Sequence, residues 1–317
     1  MACLVVTALV AIRKTDLFAV VMLFGIYSFL TAVLFMDLDA VDVAFTEAAV
    51  GAGISTVLML STLRLTGRFE SPHRRNPILP LLVVGVTGAA LVYGMLDVPQ
   101  FGDPMAPIHQ HMAPRFIQDS PTEVGVPNMV TSVLASYRGY DTLGETTVIF
   151  TAGLAVLLLL GIREGQNKRP GRLAIGDTLV LRVVVKVLIA FIMLYALYVQ
   201  FHGDYGAGGG FQAGVIFATA FVIYDLVFGE EDVRRVMPPH WLGRLAALGI
   251  FIYAGTGVAS MLLGAPFLDY SVLSHDPVHG QHLGILLIEF GVGTTVFAVI
   301  LTIFYAFSGL RRPNLVS

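Results

Sequence analysis

Cysteine, tryptophan and charge are all scarce in this 317-residue chain. The lone cysteine, Cys3, excludes an intrachain disulfide framework and a cysteine metal site. Charged residues make up 13% of the sequence, against about 25% in a soluble domain. The net charge of −3 is too small to point to nucleic acid, and no basic stripe with interleaved aromatics is present. There is no HExxH, nucleophile elbow, dinucleotide fingerprint, haem motif or cluster motif. No residue therefore stands out as catalytic, and no cofactor is expected. What is abundant is apolar: 56% of the residues are hydrophobic, and 33 glycines, many inside apolar runs, suit close helix packing.

These features describe an all-α integral membrane protein. Nine apolar segments emerge, at roughly 1–12, 16–36, 42–63, 78–96, 144–162, 178–200, 210–228, 244–264 and 282–308. The first is short for a crossing. Because no positive residue precedes it and Arg13-Lys14 follow it, it does not read as a secretory signal. Basic residues crowd one set of loops, among them Arg13, Lys14, Arg64, Arg68, Arg74, Arg75, Arg163, Arg172, Arg234, Arg235, Arg311 and Arg312. The alternate loops hold Arg115 and Arg138. The positive-inside rule then gives about nine crossings, with the N-terminus outside and the C-terminus cytoplasmic. The long connection 97–143 lies outside and includes an interfacial or re-entrant candidate at 126–134. No internal repeat and no pair of matching interrupted segments appears, so the chain reads as part of a transporter and not a whole one.

The third segment carries the most costly residue. On a helix, Ala40, Ala44, Ala48, Gly51 and Ser55 share a narrow face with Glu47. A small-residue face admits a second helix, from this chain or from a neighbour, so Glu47 should point into protein. An ionisable group there costs at least ~2.5 kcal/mol and is a functional candidate by default. Glu289 in the ninth segment, Glu145 one turn after Asp141, and Asp37, Asp39 and Asp42 at the outer mouth complete a set of acids on one side. Arg182 and Lys186 enter from the other side at i,i+4 spacing. One reading is a polar path of carboxylates that suit Na+ or a shuttled proton, with Lys186 deeper in. The other has Arg182 snorkelling to headgroups and Glu145 starting its helix.

A second constellation is His202-Gly203-Asp204-Tyr205-Gly206-Ala207-Gly208-Gly209-Gly210-Phe211-Gln212. Its glycines permit positive φ and close backbone approach, and no Gly-Lys-Ser/Thr follows to make it a phosphate loop. It is either a binding turn with His202 and Asp204 as ligands or proton carriers, or a docking turn with Asp204 at the next helix N-terminus. His109, His111, His275, His279 and His282 lie in external loops, and no metal site is expected from them.

These residues resemble a known family. Asp16-Leu17-Phe18-Ala19-Val20-Val21 with Asp42-Val43-Ala44-Phe45-Thr46-Glu47-Ala48-Ala49-Val50-Gly51 is similar to the C-terminal module of the large, A-type subunit of Mrp-type multisubunit Na+/H+ antiporters. That module stands alone as the D-type subunit of membrane-bound energy-converting hydrogenases. Tyr137-Arg138-Gly139-Tyr140-Asp141-Thr142-Leu143-Gly144-Glu145 resembles the E-type subunit of those hydrogenases. Gly208-Gly209-Gly210-Phe211-Gln212-Ala213-Gly214 resembles the B-type subunit of the antiporters. Where many B-type sequences have a proline before the glycine triplet, this chain has Ala207. The resemblance implies three modules, at 1–70, 71–165 and 166–317, of three, two and four helices. It implies a non-enzymatic accessory subunit in a bacterial plasma (inner) membrane, partnered by large antiporter-like and small membrane subunits, with Na+ and H+ as the ions moved. Glu47 would be the main relay, Asp42 its outer mouth, Asp141 and Glu145 a second step, and Lys186 their charge partner. Two alternatives remain: a membrane-arm subunit of an ion-translocating hydrogenase or respiratory complex, and a purely structural spacer.

Overall fold

The computed structural model describes residues 1–63, 65–71, 78–160 and 179–309. Several basic residues used for the orientation, including Arg64, Arg74, Arg75, Arg163, Arg172, Arg311 and Arg312, lie outside them. Nine principal helices follow in order: α1 Ala2–Ile12, α2 Leu17–Asp37, α3 Val41–Leu63, α4 Ile78–Met95, α5 Gly139–Leu160, α6 Leu179–His202, α7 Gly210–Phe228, α8 Pro239–Leu262 and α9 Pro277–Gly309. Among the described residues, eight of these are long and apolar enough to cross a membrane. The exception is α1, whose 11 residues fall short of the ~20 that a hydrocarbon core requires.

Three helices begin before the hydropathy does. α5, α8 and α9 start at Gly139, Pro239 and Pro277, upstream of the apolar runs read from the sequence. Backbone hydrogen bonding continues the helix through polar residues such as His279 and Gln281, which a hydropathy boundary leaves out. The connection 97–138 is built of short helices at Ala113–Gln118, Ser120–Glu123 and Met129–Thr131, the last running into a π-helical turn at Ser132–Tyr137.

α9 is the hub. It packs on α8, α7 and α5, while α6 packs on α7, and α1 and α3 pack on α2. Ile285, Ile288, Val296, Phe297, Leu301 and Phe304 of α9 share one core with Val215, Ala218 and Phe221 of α7 and with Leu242 and Tyr253 of α8. Phe297 meets Phe217 edge to face with ring centroids 5.2 Å apart. Two tyrosines fix the long connection to this core: Tyr253 donates to Gly139 O at 2.7 Å, and Tyr270 donates to Ala135 O at 3.0 Å. By contrast, α4 buries no residue against the rest of the chain, so its apolar surface is left for lipid or neighbouring protein.

At the opposite end from the long connection, the α1–α2 and α3–α4 loops are tied together. Leu17 N–H donates to Arg68 O, Glu70 N–H donates to Thr15 O, and the Arg68 guanidinium pairs with Asp16 at 2.7 Å. That bond holds the Asp16 carboxyl below the usual carboxylate range, while Asp16 also caps α2 by accepting from Phe18 N–H.

Candidate functional site

Asp42, Asn128, the glycine-rich turn 203–210, Gln212 and Glu289 converge at the α6–α7 junction. Each comes from a different part of the chain: the first turn of α3, the end of the long connection, the turn itself, α7 and α9. The turn is shaped by its glycines. Gly209 has φ of 116° and ψ of −175°, a conformation open to glycine alone. At Gly210, an added methyl would collide with the Glu289 carbonyl on α9, so the start of α7 can sit directly on α9 only without a side chain.

Asn128 organises the turn. Its Nδ2 donates to Gly203 O at 3.1 Å and Gly206 O at 2.9 Å, and lies 3.4 Å from Asp42 Oδ1. Its backbone N–H donates to Asp204 O at 2.9 Å. Its Oδ1 accepts from Val130 N–H, which starts the short helix Met129–Thr131. Thr131, buried beside it, donates from its hydroxyl to Gly203 O at 2.6 Å.

The acid at the N-terminus of α7 is Asp42, not Asp204. Gly208 N–H donates to Asp42 Oδ1 at 3.2 Å, placing the carboxylate against the positive end of a 19-residue helix. Among the described residues, the Asp204 side chain pairs with an imidazole and not with a backbone N–H of α7. Its Oδ2 lies 3.4 Å from His282 Nδ1 of α9. Burial pushes the Asp204 carboxyl upward and the histidine contact opposes that. Asp37 and Asp39 remain exposed at the α2–α3 turn, where Asp39 takes a left-handed conformation with φ of 57°. Gln212, 6% exposed, stitches α7 to α3 by donating from Nε2 to Thr46 Oγ1 at 2.9 Å.

Glu289 lies under the turn. A methyl at Gly209 would stand 2.8 Å from its Oε1, and one at Gly203 would stand 3.1 Å from its Oε2. The charges of Asp204 and Asp42 are within reach of it. His202 stacks on Tyr198 of the preceding turn at 5.0 Å and flanks Gly206.

Glu47 stands five residues beyond Asp42 on α3, immediately before a π-helical stretch at Ala48–Ile54. Such wide turns inside α-helices are frequent at functional positions. The Glu47 carboxyl and the Ser28 hydroxyl of α2 both lie over Gly51, where a methyl would meet either one. The small-residue face therefore packs inside this chain, with Ala44 and Gly51 buried.

The remaining acids and the lysine are not brought to this cluster. Asp141 pairs with Arg138 at 2.5 Å. Glu145 is exposed on α5 beside Val148, which is 68% exposed. Lys186 is exposed on α6, its Nζ 5.6 Å from the ring of Phe228, the last residue of α7. An ammonium level with a helix end lies at the edge of the bundle and not deep within it. Among the described residues, no cluster of three His, Cys, Asp or Glu is spaced to hold a metal ion. His279 instead faces Asp276 at 3.3 Å. Asn128, Thr131, Gln212 and His282 escaped the sequence reading as partners of the site. Their only signals were the Asn-cap pattern before Met129 and the glutamine that follows the glycine triplet.

Three family models match the chain in sequence order. MbhD, the D subunit of MBH, matches residues 2–68; MbhE, the E subunit of MBH, matches 73–172; and a domain related to the MnhB subunit of Na+/H+ antiporter matches 180–302. The chain is 27% identical to the A/B subunit of a probable K+/H+ antiporter from Rhizobium meliloti, across 93% of this chain and 32% of that protein. It is 35% identical to the putative antiporter subunit mnhB2 of Staphylococcus aureus, across 43% of this chain and 97% of that protein. In three dimensions it resembles a chain of the Mrp complex from Dietzia sp. DQ12-45-1b, with a TM-score of 0.75 and 28% identity over 99% of this chain and 35% of that one. It also resembles a chain of a membrane-bound sulfane sulfur reductase, an archaeal respiratory membrane complex, with a TM-score of 0.53 and 28% identity over 71% of this chain and 96% of that one. The chain thus spans about a third of the length of the Rhizobium and Dietzia proteins.

Proposed function

Because the chain belongs to the MnhB-related family of antiporter subunits, with MbhD-like and MbhE-like segments ahead of that domain, we propose that it is an accessory membrane subunit of a multisubunit cation/proton antiporter complex. Its role is to contribute part of an ion or proton path. The carrying observation is the convergence of the three segments on one polar site: Asp42 from the first, Asn128 from the second, and the glycine turn with Glu289 from the third. A spacer needs no such site, since unneutralised carboxylates within a spanning bundle are costly.

The modules of this reading run 1–70, 71–165 and 166–317. With α1 as a minimal crossing, the chain spans the membrane nine times, N-terminus outside and C-terminus cytoplasmic. Ions pass from the outer mouth at Asp42 to Glu47, the main relay, and Glu289 lies beside that entry. Asp141 and Glu145 serve a second step that faces a neighbouring subunit, because Glu145 points away from this chain. Lys186 borders the cytoplasmic end. The chain holds no reaction chemistry of its own in this reading, and the driving gradient or redox energy comes from its partners.

The test is cation/proton exchange in vesicles carrying the whole complex with Glu47→Gln. Exchange should fall at least tenfold, the scale of a lost transition-state contribution of about 1.4 kcal/mol. Wild-type exchange in an intact complex would leave the spacer reading standing. The likeness to the sulfane sulfur reductase supports a second reading, a membrane-arm subunit of a redox-driven complex. Purification of the native assembly decides between them: iron–sulfur or flavin-bearing subunits that co-purify select the second.

A further inference from the structure

The exposed surface of α6 carries two cations and no acid. Between Leu179 and His202 the helix has no Asp or Glu, yet it holds Arg182 and Lys186. Their i,i+4 spacing places them on one face, a turn apart. Both are exposed. Elsewhere among the described residues, Arg68, Arg115, Arg138, Arg234 and Arg235 each lie within 3.6 Å of a carboxylate. Arg182 and Lys186 meet no carboxylate among those residues. The Lys186 ammonium instead faces the Phe228 ring, 5.6 Å from its centroid.

The depth of the pair identifies what surrounds it. Phe228 is the last residue of α7 and packs on Tyr224 with ring centroids 4.8 Å apart. At the same end of the bundle, the Arg244 guanidinium lies 5.3 Å from the Trp241 ring in the first turns of α8. Aromatic rings beside cations at the ends of spanning helices mark the headgroup layer. Arg182, one turn nearer the start of α6, reaches that layer with its long stem. Val185 between them is buried, and α6 packs on α7, so the two cations border the α6–α7 seam. Deeper along α6, Val187, Phe191 and Leu194 are more than half exposed. Snorkelling alone needs only water or any headgroup. Two cations at a helix seam with no counter-charge favour a headgroup that is itself negative.

We propose that Arg182 and Lys186 hold the phosphate of one anionic phospholipid at the α6–α7 seam, with its acyl chains along Val187, Phe191 and Leu194. The guanidinium and the ammonium donate to the two free oxygens of the phosphodiester, as charge-assisted hydrogen bonds. The apolar strip below them supplies the rest of the hold. The site does not depend on the ion path proposed above.

Native mass spectrometry of the complex purified in neutral detergent, with phosphatidylglycerol titrated in, tests it. Wild type should bind one more phosphatidylglycerol than a double variant carrying Arg182→Gln and Lys186→Gln, and excess phosphatidylcholine should not displace it. Each single variant should weaken that lipid about fivefold, the effect of one basic residue near a membrane surface. The charge-keeping exchange, Arg182→Lys with Lys186→Arg, should retain it. Equal binding by wild type and the double variant overturns the site. Displacement by inorganic phosphate assigns the pair to a soluble anion and overturns the lipid. Release of another subunit from the double variant, with the lipid count unchanged, assigns the cations to a neighbour's carboxylate and overturns it too. If the double variant does not assemble, the single variants decide by the same fivefold change.

Discussion

At Asn128, one side-chain amide holds two carbonyls of the glycine turn and stands beside Asp42, while its own backbone N–H holds a third carbonyl. Asn128→Ala removes the side-chain donors, so that Gly206 O loses its partner while Gly203 O keeps the Thr131 hydroxyl, at a cost of about 1–3 kcal/mol. The expected result is a lower thermal midpoint of the assembled complex and slower exchange, both measurable on the same membranes. Asp42 is more exacting. Asp42→Asn keeps the shape but removes the charge from the start of α7, a loss of roughly 0.3–1 kcal/mol in stability. If Asp42 is the outer mouth, exchange should drop by far more than that small destabilisation implies. A parallel decline in both quantities would reduce Asp42 to a helix cap.

At the scale of elements, the π-helical stretch Ala48–Ile54 and the turn at Gly209 are the two places where backbone geometry serves the site. Deleting one residue, Ala52, would let α3 relax to a regular α-helix, because a π-bulge holds one extra residue, and would remove the wide turn that seats Glu47 and Ser28 over Gly51. Exchange should be lost although no charged group has been touched, and the vesicle assay reads this directly. Gly209→Ala forces a side chain into a conformation that costs roughly 1–3 kcal/mol, and it also presses a methyl toward Glu289. Weak assembly is expected, detected as reduced recovery of the subunit with its complex. The substitution should be more damaging than Gly243→Ala, where a methyl meets nothing.

For the whole molecule, the lone Cys3 makes orientation testable. In a Cys3→Ser background, a membrane-impermeant thiol reagent applied to intact cells should label His109→Cys in the long connection. It should not label Glu231→Cys, on the short helix after α7, until the membrane is opened. The reverse pattern would invert the proposed topology. Uneven burial has a second consequence at this scale. α7 and α9 form the centre, whereas α4 buries nothing and Glu145 and Lys186 face outward from spanning helices. Charge on an outer face of a membrane bundle requires a neighbour or water, which suits a subunit whose environment is completed by other chains.

The sequence alone determined the all-helical membrane class, the places of the apolar helices and the carboxylates worth suspecting. Hydropathy acts over one helix length, and an ion inside an apolar run is conspicuous without any coordinates. It also marked the glycine turn, because three consecutive glycines have few uses beyond close approach and unusual φ. Only the tertiary structure decided which of those groups meet. Asp42 and Gln212 are separated by 170 positions yet share a contact, and no periodicity links them. Nor could sequence single out Asn128 or Thr131, since neutral amides and hydroxyls are ordinary in loops and at helix ends. Their importance arises from burial against particular backbone oxygens. The structure likewise moved the N-terminal acid of α7 from Asp204 to Asp42, because a residue near in sequence was turned toward His282 while a distant one was folded onto the helix end.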